Sequence, residues 1–119
     1  MKTITAEFLE DILFNLENGF LIKFHLNKGL DLVQLDKLYE ILEILKNEWK
    51  TKDNIPKNII FQLIAIVPAL YRDLPMYAEK EEFYRYEEIV YGLDSAITMC
   101  LNPNINDPFF NKPLKELGF

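Results

Sequence analysis

His25 and Cys100 are the only histidine and the only cysteine in this chain, so any nucleophilic or metal chemistry has to begin with them. A thiol nucleophile needs a base within hydrogen-bond reach that draws off its proton, and neither the spacing nor the context of these two residues brings them together. Cys100 falls in an apolar helical pattern, where a lone cysteine behaves as a small hydrophobe. A carboxylate-bridged di-iron bundle needs two Glu-x-x-His motifs, and zinc needs several Cys or His ligands, so one histidine supports neither. The run Asn102 to Asp107, NPNIND, alternates oxygen donors but lacks the glycine and the closing glutamate of a calcium loop. The four glycines, Gly19, Gly29, Gly92 and Gly118, stand singly, outside the patterns that cradle phosphates. Adjacent acids at Glu81 and Glu82, and at Glu87 and Glu88, would serve as acid and base only in a desolvated cleft that separated their pKa values. On a helix such runs are ordinarily solvated. The expectation is a protein without catalytic residues, cofactor or metal.

One pattern reads instead as a contact surface. Tyr84, Glu88 and Tyr91 follow one another four and three residues apart, with Glu81, Glu87 and Ser95 beside them, so they project together from one side of a helix. Tyrosine is enriched at interface hot spots, and carboxylates around it attract a basic partner. Asp36, Glu40 and Glu43 form a second acidic line on an earlier helix. Burial of Tyr84 and Tyr91 beneath a neighbouring helix or the C-terminal tail is the slightly favoured expectation, because most aromatic stripes in small bundles are buried.

The elements that position these residues are helical throughout. Asp31 can cap a helix running to Trp49, Gln34 stands where the return half of a capping box belongs, and Leu30 can staple onto Leu35. Leu35, Leu38, Leu42, Leu45 and Trp49 recur alternately three and four residues apart, with Tyr39 and Ile41 widening the stripe. Before it, Thr5 caps a helix burying Phe8, Leu9, Ile12, Leu13 and Leu16, which Gly19 ends. Phe20 to Leu26 alternates like a strand, but a lone strand would leave its backbone groups unsatisfied, so it too reads as helix, stopped at Asn27-Lys28-Gly29. Pro56 opens a helix that is apolar nearly all round and should be enclosed, with a kink or stop at Pro68 and a bend over Tyr71 to Tyr77. The last long helix runs from about Glu79 to Leu101, with Phe83, Tyr86, Val90, Leu93, Ile97 and Cys100 inward. The tail lays Phe109, Phe110, Leu114 and Leu117 over the core.

A length of 119 residues, half of them apolar, suits a single all-α domain, a bundle of four to five helices with an irregular tail, residues 1–119. Nineteen acidic against 13 basic residues give a net charge of −6, which opposes a phosphate backbone and argues against nucleic acid. One cysteine precludes an internal disulfide framework, and the acids in MKTITAEFLEDI interrupt any secretory signal, so a cytoplasmic location is expected. The longest apolar run, Ile59 to Tyr71, falls short of the roughly 20 residues that span a bilayer, so no membrane association is expected.

The run GFLIKFHLNKGLDLVQLDKLYEILEILKNEW, followed by IPKNIIFQLIAIVPALY, resembles the helical immunity proteins of bacterial toxin systems, including contact-dependent growth inhibition, over residues 19–71. The resemblance lies in size, charge, helix order and the Leu-rich stretch, and it carries no binding residue across. It implies a small cytoplasmic protein that binds one cognate toxin domain, frequently a basic nuclease, and occludes it, as a monomer or weak homodimer. A second reading is a structural or regulatory module that self-associates through Tyr84 and Tyr91 or docks into a larger assembly. A third is a carrier of a small apolar ligand in a cavity beside Pro68.

Overall fold

The computed structural model describes residues 3–108 and 112–116. Among these residues the chain is all helical: α1 (Ala6–Phe14), α2 (Phe20–His25), α3 (Leu32–Trp49), α4 (Lys57–Asp73) and α5 (Phe83–Leu101), with 3-10 turns at Leu74–Tyr77 and Leu114–Glu116. α5 packs against both α3 and α4, and α4 also carries α1 and α2. One apolar core runs between them, through Leu9, Leu13, Phe24, Leu38, Leu42, Leu63, Ile66, Val90 and Leu93.

α3 begins as its sequence dictates. The Asp31 carboxylate accepts from the N–H groups of Val33 and Gln34 at 3.0 and 3.2 Å, satisfying two donors that the first turn leaves open. The other half of the expected capping box is absent. The Gln34 side chain donates to the Asn18 carbonyl at 3.1 Å and ties the start of α3 to the α1–α2 loop. Lys23 on α2 donates to Asp31 at 2.7 Å, and this bond is the largest cause of a lowered Asp31 pKa. Because the folded pKa lies below the unfolded one, the stabilisation is present above the ordinary aspartate value and is lost as pH falls through the folded value. Asp31→Ala is expected to cost about 1–2 kcal/mol at pH 7. In urea titrations the gap to the wild type should begin to narrow below about pH 4 and go on narrowing as pH falls through the lower folded value. A gap independent of pH would remove the Lys23 contribution.

α1 stops earlier than expected. The Asn15 side-chain oxygen accepts from Glu17 and Asn18 N–H at 2.9 and 3.0 Å, a local turn that competes with further helix. Leu16 is therefore thrown out of the core and is 85% exposed. Gly19 does not end α1 but stands before α2, packed so tightly that a Cβ would lie 2.6 Å from the Asn15 backbone and 2.7 Å from the Leu13 carbonyl. Phe20 to His25 is helical, with Phe20, Leu21 and Phe24 buried. After it Asn27 and Gly29 take positive φ values of 64° and 82°.

Two expectations for the second half of the chain are corrected. α4 does not stop at Pro68 but continues to Asp73, and the segment after it is a 3-10 turn. Pro68 and Ile64 both lie on the solvent-exposed side of α4, where the helical bond that a proline removes costs less than in a core. Nor is α4 enclosed: Ile59, Leu63, Ile66 and Leu70 are buried, while Phe61 is 70% exposed and Ile64 54%. Lys57–Tyr77 is long and apolar enough, by length and composition, to cross a membrane. α5 starts at Phe83, which leaves Glu81 in the preceding turn. In the tail Leu114 is buried as expected; Phe109, Phe110 and Leu117 lie outside the described residues.

Candidate protein-binding surface

α5 has two sides because its apolar residues recur at helical spacing. Val90, Leu93, Ile97 and Cys100 go inward against α3 and α4, so residues half a turn away must point outward. Tyr84 and Tyr91 do, at 77% and 65% exposure. Neither is covered by a neighbouring helix, and the tyrosine stripe is an exposed surface. Ser95, farther along, is half-buried. Phe83 meets the Tyr84 ring edge-on at 5.8 Å and supports it from within the same helix.

Beside this stripe α3 and α5 leave a groove of about 480 Å³, floored by Leu35, Tyr39 and Ile89 and edged by Asp36, Arg85 and Glu88. The structure thus brings together Asp36 and Glu88, which stand on separate helices far apart in sequence. Burial holds the Tyr39 phenol above its ordinary pKa, so this residue meets a partner as a neutral phenol. Arg85, which no sequence pattern singles out, adds one cation to the same rim. Glu81 is exposed in the turn that precedes α5.

Two other expected contact residues, Glu40 and Glu87, lie outside this groove. Glu40 lines a different groove, between α1 and α3, together with Ile4, Phe8 and Ile44. Glu87 is half-buried on the α4 side of α5. Desolvation raises the pKa of Tyr71 on α4, and the charges of Tyr91, Asp94 and Glu87 raise it further, which places these side chains around one another.

Glu43, on the acidic line of α3, makes an internal tie. Its carboxylate accepts from Lys46 Nζ at 3.2 Å and from the Leu114 N–H at 3.0 Å, while Lys46, 1% exposed, also donates to the Lys112 carbonyl. The pair clamps the tail onto α3.

Comparison with family models, with curated proteins and with solved structures finds no match.

His25 and Cys100 have separate partners. His25 Nδ1 lies 3.2 Å from Asp73, itself bound by Arg72, at the α2–α4 contact. Cys100 donates its S–H to the Leu42 carbonyl at 3.1 Å. Burial pushes the Cys100 thiol up to about 12, against the opposing influence of Lys46, so at neutral pH it is a protonated thiol and a poor nucleophile. Among the described residues no three or more His, Cys, Asp or Glu side chains gather closely enough to hold a metal ion.

Proposed function

We propose that this chain is a toxin-neutralising immunity protein that binds a basic toxin domain and occludes it with the outer face of α5 and the adjoining α3–α5 groove. The exposure of Tyr84 and Tyr91 on one face of one helix, with Glu88 between them, supports this reading above all, since tyrosine is enriched at interface hot spots. Glu88 stands between them on α5 and Asp36 lines the adjoining groove, and these acids, with the net charge of −6, would steer a cationic partner into the encounter. In this reading the tyrosines hold the complex and the acids speed its formation. A buried, protonated Cys100 suits a reducing cytoplasm.

The test is association with the C-terminal domain of the protein encoded immediately upstream, followed by surface plasmon resonance. Raising salt from low to high ionic strength should slow association about tenfold or more, while Tyr84→Ala with Tyr91→Ala should speed dissociation by about 100-fold. A complex indifferent to both changes, or no complex at all, would overturn the proposal.

A further inference from the structure

Asn18 and Gly19 form the one Asn-Gly dipeptide in the chain, and they lie in the turn that joins α1 to α2. A glycine after asparagine leaves its backbone nitrogen unshielded by a side chain, so that nitrogen can reach the asparagine side-chain amide. Once the Gly19 N–H has given its proton to a solvent base, the nitrogen attacks Asn18 Cγ. The new N–C bond closes a succinimide ring, the bond from Cγ to the side-chain nitrogen breaks, and that nitrogen takes protons from water and leaves as ammonia. Water then opens the ring at one of its two carbonyls, giving aspartate or an isoaspartate whose main chain is one carbon longer. No reagent other than water and base is required. We propose that Asn18 is a deamidation site that the fold holds closed and that reacts only when the α1–α2 turn opens.

The peptide plane that must turn is tied at both ends. Its N–H, on Gly19, donates to the Asn15 carbonyl at 2.8 Å, and its carbonyl, on Asn18, accepts from Gln34 Nε2 of α3 at 3.1 Å. The Asn18 N–H is held as well, by Asn15 Oδ1 at 3.0 Å. Gly19 is buried against the backbone of Leu13 and Asn15, which leaves it no room to swing towards the Asn18 side chain. Asn18 itself is exposed, so water and base meet it as soon as the ties release. The ties are few and local, and their opening does not require the core to unfold. Isoaspartate lengthens this connection by about 1.5 Å. A turn so lengthened cannot keep both Gly19 in its recess and the Asn18 carbonyl on Gln34, and the start of α3 loses its tie to the α1–α2 loop.

The full chain, incubated in mildly alkaline buffer with and without denaturing urea, can be digested and weighed for the gain of about 1 Da on the peptide that holds Asn18. Conversion should run at least about tenfold faster in urea than in the folded chain. Gln34→Ala frees the carbonyl end of the peptide plane, and Asn15→Ala frees the Asn18 N–H. Each should speed the folded-state reaction about threefold or more, with an unchanged rate in urea and a helical circular dichroism spectrum. The isoaspartate form, separated by chromatography, should unfold at a lower urea concentration than Asn18→Asp, which carries the same charge on a main chain of normal length. Equal rates with and without urea overturn the proposal, as does an Asn18 that stays intact in urea. Folded variants that react no faster than the parent chain overturn it too, because the two ties would then not be what holds the site closed.

Discussion

Tyr77→Ala should destabilise the protein by about 4–5 kcal/mol, a large fraction of the stability of any small domain. Tyr77 is 1% exposed and sits in the 3-10 turn between α4 and α5. Its ring stacks on Phe24 with centroids 4.5 Å apart and meets Tyr86 edge-on at 5.3 Å, so it joins α2 to α5. Its hydroxyl donates to the Phe24 carbonyl at 2.7 Å and accepts from the Gly29 N–H at 3.0 Å. Loss of a buried aromatic alone costs about 3–5 kcal/mol. The two hydrogen bonds do not count equally. The Phe24 carbonyl keeps the Asn27 N–H at 3.2 Å, whereas Gly29 stands where φ is 82° and where a Cβ would come within 2.8 Å of the Tyr86 hydroxyl, so its backbone has little room to turn elsewhere. Tyr77→Phe, which keeps the ring, should therefore cost only about 1–2 kcal/mol, most of it from the unpaired Gly29 donor. Urea unfolding of the two variants separates packing from hydrogen bonding. Equal losses would mean that the hydroxyl, not the ring, holds the α2–α5 junction.

Tyr77 also marks how far the sequence can be read. The Leu stripe of α3 and its Asp31 cap are legible because both are local: period and cap lie within the helix they define. The outward direction of Tyr84 and Tyr91 follows from the same periodicity in α5, although whether something covers them does not. In α4 periodicity fails. A helix with apolar residues nearly all round does not reveal which face meets its neighbours, so from sequence Phe61 and Ile64 read as core. Leu16 is lost to the Asn15 turn, since a side chain that accepts two backbone N–H groups ends a helix that the apolar pattern would continue. Tyr77, in a stretch that reads as a bend, acquires its role only through partners far away in sequence, Phe24 and Gly29. The α3–α5 groove has the same origin: Asp36 and Glu88 become neighbours through packing that the periodicity of either helix leaves open.

Glu43 and Lys46 supply the second large expected effect, and one that the sequence hides, because a Glu and a Lys three residues apart ordinarily form a solvated surface pair. Here the Lys46 side chain is 1% exposed while Glu43 is 33% exposed. Glu43→Ala should cost about 2–3 kcal/mol, less than the roughly 3–5 kcal/mol typical when one partner of a fully buried pair is removed. Two features moderate the loss: Glu43 is already partly hydrated, and Lys46 retains the Lys112 carbonyl. Glu40→Ala, one turn earlier on exposed surface, should change stability by no more than about 0.5 kcal/mol. Lys46→Met keeps the apolar stem in place and removes the buried charge, so it should cost about 1 kcal/mol or less. The double variant should then be more stable than the sum of the two single losses predicts, because Glu43→Ala does its damage by stranding Lys46. Thermal unfolding of the four proteins completes that cycle. Strict additivity would mean that Glu43 acts through the Leu114 N–H alone and that its contact with Lys46 contributes nothing to holding the tail on α3.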